Sequence, residues 1–114
     1  MNPLVFTYGA LIAAIVSEVI GTTFLKQSQQ FTKLGPSLLT AISYGAAFYA
    51  LSYTLTVLPV GIAYAIWSSL GIVLISAVGF FVFKQSLDVP ATIGIGCIVV
   101  GVVIINVFSK SVAH

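Results

Sequence analysis

The 114-residue chain is 60% hydrophobic and only 5% charged, with a mean hydropathy of +1.20, whereas an average soluble domain has roughly 25% charged residues. Four basic and two acidic side chains are too few to cover the surface of a soluble globule, so the composition predicts an integral membrane protein. The net charge of +2 comes from scattered lysines without any arginine, which argues against nucleic-acid binding.

The first predicted element is a transmembrane helix over residues 4–25. Its length of about 33 Å is enough to cross a hydrocarbon core of roughly 30 Å. It lacks a basic n-region and contains an acidic residue, so we interpret it as a retained helix rather than a signal peptide. The polar segment 26–33 follows as a loop at the membrane surface, and Gly35-Pro36 favours the start of another helix.

The next stretch, 34–83, contains no charged residue and would measure about 75 Å as one helix, more than twice the core thickness. It must therefore fold back. The break is predicted at Leu58-Pro59-Val60-Gly61, because proline lacks an amide donor and glycine permits turn geometry. After a polar turn comes the last span. The prediction is an all-α membrane protein, in which 1–114 form one domain with helices at about 4–25, 34–57, 61–83 and 90–108.

Lysine placement gives little preference for one orientation. Lys26, Lys33 and Lys84 fall on one side of the predicted membrane, and Lys110 and the terminal amine fall on the other. Since orientation follows the lysines and arginines of short loops, this near balance is compatible with insertion in both orientations. The alternative is a preference for cytoplasmic first and third loops.

The fourth predicted helix has a surface suited to a second protomer. Many transporters build their site between two inverted halves, and four helices correspond to one half. Gly94 and Gly101 are seven residues apart and therefore lie on one helical face, where small residues let helices approach closely. We expect them to form a dimer contact, and packing within the protomer is the alternative.

Glu18 is the acidic residue that falls within a predicted span. A charge at that depth costs roughly 2.5–3.5 kcal/mol even on insertion scales. Without a lysine or arginine at that depth, the carboxylate should hold a proton, which it can exchange for a cation. The alternative is a permanently protonated side chain in one interhelical hydrogen bond. Small and aliphatic residues share its helical face: Leu11, Ala14, Ile15, Gly21, Thr22 and Leu25.

Two pairs of aromatic residues are the second group of candidate site residues, after Glu18 and its neighbours. Tyr44 and Phe48 are at i, i+4, and Tyr64 and Trp67 are at i, i+3, so each pair points one way. Aromatic faces attract cations, and tyrosine or tryptophan can also hydrogen-bond a carboxylate. Anchoring at the lipid interface is the alternative.

The sequence argues against an enzyme. It has no cluster of His or Cys, no Ser/His/Asp set, no phosphate-binding loop and no second acidic residue within a span. We therefore expect no metal site and no cofactor. Cys97 is the only cysteine, so one chain cannot form an internal disulfide.

Three segments resemble the small multidrug resistance family, and the resemblance extends along essentially the full chain. They are Glu18-Val19-Ile20-Gly21-Thr22-Thr23 followed by Leu25-Lys26, then Pro59-Val60-Gly61-Ile62-Ala63-Tyr64-Ala65-Ile66-Trp67-Ser68, and Gly101-Val102-Val103-Ile104-Ile105-Asn106.

The resemblance implies an antiparallel homodimer in the bacterial inner membrane that exports lipophilic cationic drugs in exchange for protons. It implies that Glu18 of both protomers binds proton or drug in competition. The implied site wall is Leu11, Ala14, Ile15, Thr22, Tyr44, Phe48, Tyr64 and Trp67, and the implied dimer contact is Gly94 and Gly101.

Gly21 favours the branch that exports polyaromatic cations, because the guanidinium-exporting branch typically has tryptophan at that position. Guanidinium export is the first alternative, and a non-transporting membrane subunit is the second. Two residues depart from the family pattern: Ala47 stands where relatives often have a serine, and Ser69 replaces a glycine near the bend of the third helix.

Overall fold

A computed structural model describes residues 3–110, and every regular element in that range is an α-helix. The helices are α1 (Pro3–Gln27), α2 (Leu34–Thr54), α3 (Val60–Phe81) and α4 (Val89–Phe108). Each is long and apolar enough to cross a membrane. The all-α class and the four potential spans predicted from the sequence are therefore confirmed.

The described chain divides into two units, the first containing α1 and α2 and the second containing α3 and α4. In the first unit, α1 and α2 pack as an antiparallel hairpin. Phe6 near the start of α1 makes an edge-to-face contact with Tyr53 near the end of α2, with ring centroids 5.2 Å apart. Thr22 near the end of α1 contacts Tyr44 in the middle of α2.

The interior of the first unit combines aliphatic residues with buried threonines. Thr7, Thr40 and Thr54 are at most 2% exposed. The Thr54 hydroxyl donates to the carbonyl of Ala50, one turn earlier, so its polar atom is satisfied within the helix. The buried aliphatic residues are Leu11, Ala14, Ile15, Val19, Ala47 and Leu51.

The connection between α1 and α2 is a left-handed turn. Gln29, Gln30 and Phe31 have φ values of 50°, 62° and 64°, a region that side-chain-bearing residues rarely occupy. Ser28 is fully buried beneath this turn. Its hydroxyl donates to the carbonyl of Leu25 over 2.7 Å and accepts from the amide of Phe31 over 3.1 Å. These bonds fix the direction in which the chain re-enters as α2.

The helix ends differ by a few residues from the predicted bounds. The α2 helix ends at Thr54 rather than near 57, because Thr56 and Val57 bond to carbonyls three residues back and so form a tighter turn. The α3 helix begins at Val60, directly after Pro59. At its other end Lys84 takes a φ of 59°, and the Gln85 amide donates to the Gly79 carbonyl, as in a left-handed helix cap.

The start of α4 has a side-chain cap. Asp88 precedes the helix, and its carboxylate accepts a 3.0 Å hydrogen bond from the Ala91 amide, which satisfies one of the amides left open at a helix start. Pro90 lies in the first turn, where no amide donor is needed. Along the rest of α4 the structure places no residue in a buried position.

Candidate functional site

Glu18 lies past the middle of α1, so the helix carries its carboxylate into the apolar span. The side chain is half-buried. The only other acidic residue in the sequence is Asp88, which caps α4 outside the spans. Among residues 3–110, no three His, Cys, Asp or Glu side chains lie close enough together to hold a metal ion. The first unit therefore presents one carboxylate surrounded by hydroxyl and apolar groups.

Two hydroxyl groups connect this carboxylate to α2. The Thr22 hydroxyl donates to Oε1 of Glu18 over 2.9 Å, and the Thr22 Oγ1 atom also lies 2.7 Å from the Tyr44 hydroxyl oxygen. Thr22 has a single hydroxyl proton. When Glu18 is ionised, that proton is used in the bond to the carboxylate, so Tyr44 is the donor to Thr22. The chain of donors therefore runs from Tyr44 through Thr22 to the carboxylate.

Tyr44 reaches this position because α1 has no side chain at Gly21. A Cβ atom added to Gly21 would lie 2.7 Å from both Cδ1 and Cε1 of the Tyr44 ring and 3.2 Å from Cβ of Ser43. The Thr40 hydroxyl oxygen, one turn before Tyr44, lies 3.3 Å from the Gly21 carbonyl oxygen, although its shorter contact, 2.9 Å, is with the Pro36 carbonyl of its own helix region. The two helices therefore make a close approach at Gly21.

Phe48 extends the aromatic surface from Tyr44 along α2. The two ring centroids are 6.4 Å apart and the rings are tilted by 57°, within the range for a favourable aromatic pair. Phe48 is 61% exposed in the protomer, whereas Tyr44 is half-buried. The structure thus brings together Glu18, Thr22, Tyr44 and Phe48, four of the predicted site residues.

The aliphatic residues of the predicted wall are closed off in this structure. Leu11, Ala14 and Ile15 are each 0% exposed, so they have no free surface for a ligand in this arrangement of the protomer. Their burial follows from the same helical face that they share with Glu18. Their contact with a substrate stays a prediction.

The second aromatic pair lies on α3, in the second unit. Tyr64 is 52% exposed and Trp67 is half-buried. Gly71, one turn after Trp67, leaves room beside the indole, because a Cβ atom there would lie 3.6 Å from Cδ1 of Trp67. The structure assigns Tyr64 and Trp67 no hydrogen bond through their polar atoms among the described residues, and their role in the site stays a prediction.

The glycines of α4 have open surroundings. A Cβ atom built on Gly94 or Gly101 meets no atom within 4 Å beyond its own helical backbone and immediate neighbours. Packing of these two glycines against α3, the other helix of their unit, is therefore not seen among the described residues.

Sequence reasoning did not find the hydroxyl chain or the close approach at Gly21. Thr22 was identified by its spacing from Glu18, and Tyr44 by its spacing from Phe48, but nothing in the sequence sets the register of α1 against α2. One usable signal was present. Gly21 is flanked by larger residues on a face that carries a carboxylate, and a helical glycine in such a place often marks a packing requirement.

Comparison with known proteins gives the family. The model of the family described as Small Multidrug Resistance protein matches residues 6–98. The chain belongs to this family. Among individual relatives of this small multidrug resistance chain, the Multidrug transporter EmrE of Escherichia coli strain K12 is 52% identical over 114 residues, covering 100% of both chains.

Two further relatives in the small multidrug resistance family carry names that refer to quaternary ammonium compounds. Quaternary ammonium compound-resistance protein QacE of Escherichia coli is 52% identical over 104 residues, which cover 91% of this chain and 94% of that protein. Quaternary ammonium compound-resistance protein QacC of Staphylococcus aureus is 47% identical over 104 residues, covering 91% of this chain and 97% of that protein. The family membership expected from the three sequence segments is therefore confirmed.

Proposed function

We propose that the chain is a proton-coupled antiporter that exports lipophilic, often aromatic, quaternary ammonium-type cations. Family membership makes it a membrane transporter rather than an enzyme, and the four spans make it a multi-pass protein of the bacterial inner membrane. The names of its relatives, a multidrug transporter and quaternary ammonium resistance proteins, support multidrug efflux. The observation that carries the proposed mechanism is the half-buried Glu18 within α1 and its hydroxyl partners.

The coupling follows from what a lone carboxylate in an apolar span can bind. Burying its negative charge is costly unless a proton or another cation neutralises it. Proton and drug therefore compete for Glu18, and occupation by one requires release of the other. In the cycle we propose, Glu18 loses its proton on the inner side, binds the cation there, and releases it outside when it is protonated again.

Ordinary gradients provide enough free energy for this exchange. One unit of pH difference corresponds to about 1.4 kcal/mol for each proton. One net charge moving through 100 mV corresponds to about 2.3 kcal/mol. A two-unit gradient would thus concentrate a substrate about a hundredfold for each coupled proton if charge movement is ignored.

The proposed binding surface combines the carboxylate with aromatic faces. The exposed ring of Phe48 and the adjacent half-buried ring of Tyr44 offer π-faces to a flat or bulky cation, and such contacts gain strength where water is excluded. We extend the surface, on the family resemblance, to Tyr64 and Trp67 of α3. The remaining members proposed are Leu11, Ala14, Ile15 and Thr22.

We further propose that two protomers associate in antiparallel fashion, so that each contributes one Glu18. The open faces of Gly94 and Gly101 support α4 as the contact, since helices in lipid approach most closely where residues are small. No residue of the described α4 is buried, so the helix keeps surface available to lipid and a partner besides its contact with α3.

Guanidinium export is the alternative within the family, and Gly21 argues against it. The space above Gly21 is filled by the Tyr44 ring at 2.7 Å, so even a methyl group does not fit there without a shift. A tryptophan, which the resemblance associates with guanidinium exporters, would need a different arrangement of α1 and α2. A competition assay between guanidinium and a polyaromatic cation separates the two functions.

Vesicles reconstituted with the purified protein test the proposal. A pH gradient should drive uptake of a quaternary ammonium dye, and Glu18→Gln should abolish this uptake while the protein still forms a dimer by cross-linking. Asp88→Asn is the matched control, because it neutralises the other acidic residue and retains a capping side chain outside the spans. If the gradient drives no uptake, the chain is a non-transporting subunit. If Glu18→Gln retains uptake, the carboxylate does not couple the two fluxes.

A further inference from the structure

The close approach at Gly21 joins two features that the proposed transport cycle does not explain. One is the Tyr44 ring, which lies against the backbone of α1 with no room for a Cβ atom at position 21. The other is the hydroxyl of the same ring, which lies 2.7 Å from Thr22 on the next residue of α1. Because a rigid phenol connects them, the position of the ring determines whether its hydroxyl reaches Thr22.

We propose that Gly21 is a positioning residue: its bare backbone seats Tyr44 so that the Tyr44 hydroxyl orients Thr22 as a donor to Glu18. The inference rests on the proposed role of Glu18 as the group that binds proton and cation. It gives Gly21 a role through the carboxylate rather than on the ligand, and it gives Thr22 and Tyr44 a second role besides the binding surface proposed above. It also predicts that a side chain at position 21 disturbs this arrangement.

The sizes of the contacts show how a side chain at position 21 would act. Carbon atoms in favourable contact are about 3.5–4.0 Å apart, so a methyl group placed 2.7 Å from two ring atoms would displace the ring by about 0.8 Å or more. The ring is the part that moves most readily, because the alternative is to separate the two helix backbones. A movement of that size takes the 2.7 Å contact with Thr22 to or beyond the limit of about 3.0 Å for a good O–H···O bond.

Thr22 transmits the effect because it has one hydroxyl proton. With Tyr44 donating to it, Thr22 directs that proton at Oε1 of Glu18 and stabilises the ionised carboxylate. When Glu18 is protonated, the chain can run in the opposite direction, from Glu18 through Thr22 to the Tyr44 oxygen. Tyr44 therefore donates a hydrogen bond to Thr22 when Glu18 is ionised and accepts one when Glu18 is protonated. The protonation state of Glu18 on α1 thus changes the hydrogen bonding of a side chain on α2.

Tyr44 is the titratable side chain that this chain of hydroxyls joins to Glu18. Four other titratable side chains belong to α1 and α2, and none of them is part of this hydroxyl chain. Two are on α2, Tyr49 and Tyr53, and they are 80% and 40% exposed. The remaining ones are Tyr8 and Lys26 of α1. The hydroxyl chain is thus the direct route by which α2 can influence the carboxylate.

The test compares two glycine substitutions on the same helix in the full-length protein. Gly21→Ala should weaken binding of tetraphenylphosphonium about tenfold near neutral pH and move the pH of half-maximal binding upward by about one unit, the effect of losing a hydrogen bond to a charged group. Gly9→Ala is the control, because a Cβ atom there meets nothing within 4 Å. It should leave both values within about twofold and a few tenths of a pH unit.

A double-mutant cycle shows whether Gly21 acts through Tyr44. In a Tyr44→Phe background the hydroxyl is already absent, so Gly21→Ala should add less than about a twofold change. A full additional tenfold loss would overturn the proposal, because Gly21 would then act on the helix or the ligand by another route. Behaviour of Gly21→Ala identical to Gly9→Ala would overturn it as well.

A second pair of variants keeps the test decisive if Gly21→Ala fails to fold. Thr22→Val removes the hydroxyl with little change in shape and should raise the pH of half-maximal binding, whereas Thr22→Ser keeps the hydroxyl and should restore most of the wild-type profile. An unchanged profile in Thr22→Val would contradict the relay. Failure of the proposed function itself looks different, because Glu18→Gln would then leave the pH dependence of cation binding intact.

Discussion

Replacing Gln30 with glycine should stabilise the protein, because Gln30 occupies the centre of the left-handed turn between α1 and α2. Its φ is 62°, and the neighbours Gln29 and Phe31 also have positive values. Residues with a Cβ atom are strained in this region, since the Cβ approaches the following carbonyl oxygen. Glycine has no such contact and occupies the region freely.

The magnitude follows from two opposing effects. A left-handed residue with a side chain costs roughly 1–2 kcal/mol, and glycine removes that cost. Glycine also makes the unfolded chain more flexible, which opposes the gain by roughly 0.5–1 kcal/mol. Since the Gln30 side chain is exposed, little packing is lost. We expect a net stabilisation of about 0.5–1 kcal/mol.

A reversible titration of the purified protein from mild detergent into sodium dodecyl sulfate, followed by circular dichroism, measures the change. Gln27→Gly is the matched control, because Gln27 is also exposed but belongs to the last turn of α1. Glycine at a helical position should destabilise by up to about 1 kcal/mol. Replacing glutamine with glycine should therefore raise the stability at position 30 and lower it at position 27. Equal destabilisation by both variants would show that the turn is not left-handed and would refute the reasoning.

Three further predictions concern the other unit. Asp88→Ala should lower the stability of the protein by about 1 kcal/mol in the same titration, because the Ala91 amide loses its capping partner. Unchanged stability in Asp88→Ala would show that the cap is unimportant. Lys84→Gly should stabilise by up to about 1 kcal/mol, since Lys84 has a φ of 59°, and a clear loss would contradict that conformation. Trp67→Ala should weaken cation binding by up to about thirtyfold, the value for a desolvated indole face, and Trp67→Phe should retain much of the affinity. Unchanged affinity in the alanine variant would show that Trp67 contributes to packing rather than to cation binding.

The four spans could be predicted because they follow from composition and length. Long uncharged stretches exceed the thickness of one bilayer crossing, and Pro59 interrupts the longest of them. The end of α2 was harder to predict. Residues 55–57 are as apolar as a span, and their tight turn depends on backbone hydrogen bonds that no hydrophobic pattern records.

Part of the candidate site also follows from helical periodicity. Thr22 is one turn from Glu18, and Phe48 is one turn from Tyr44, so each pair meets within its own helix. The contact between the pairs could not be predicted. It depends on the register of α2 against α1, which the left-handed turn at 29–31 helps to determine.

The burial of the aliphatic face of α1 is a second feature that could not be predicted from the sequence. Leu11, Ala14 and Ile15 share the face of Glu18, and a sequence pattern treats a ligand-facing wall and a helix-packing surface alike. In the structure these residues are fully closed.

Proton release on cation binding tests the central claim most directly, since that claim is that one carboxylate holds either a proton or a drug. Purified protein in weakly buffered detergent solution is mixed with tetraphenylphosphonium at a series of starting pH values, and the pH change is recorded at each. The account predicts that wild-type protein releases protons as the cation binds and that Glu18→Gln releases none. Cation binding to the wild-type protein without proton release, or equal release from Glu18→Gln, would contradict it.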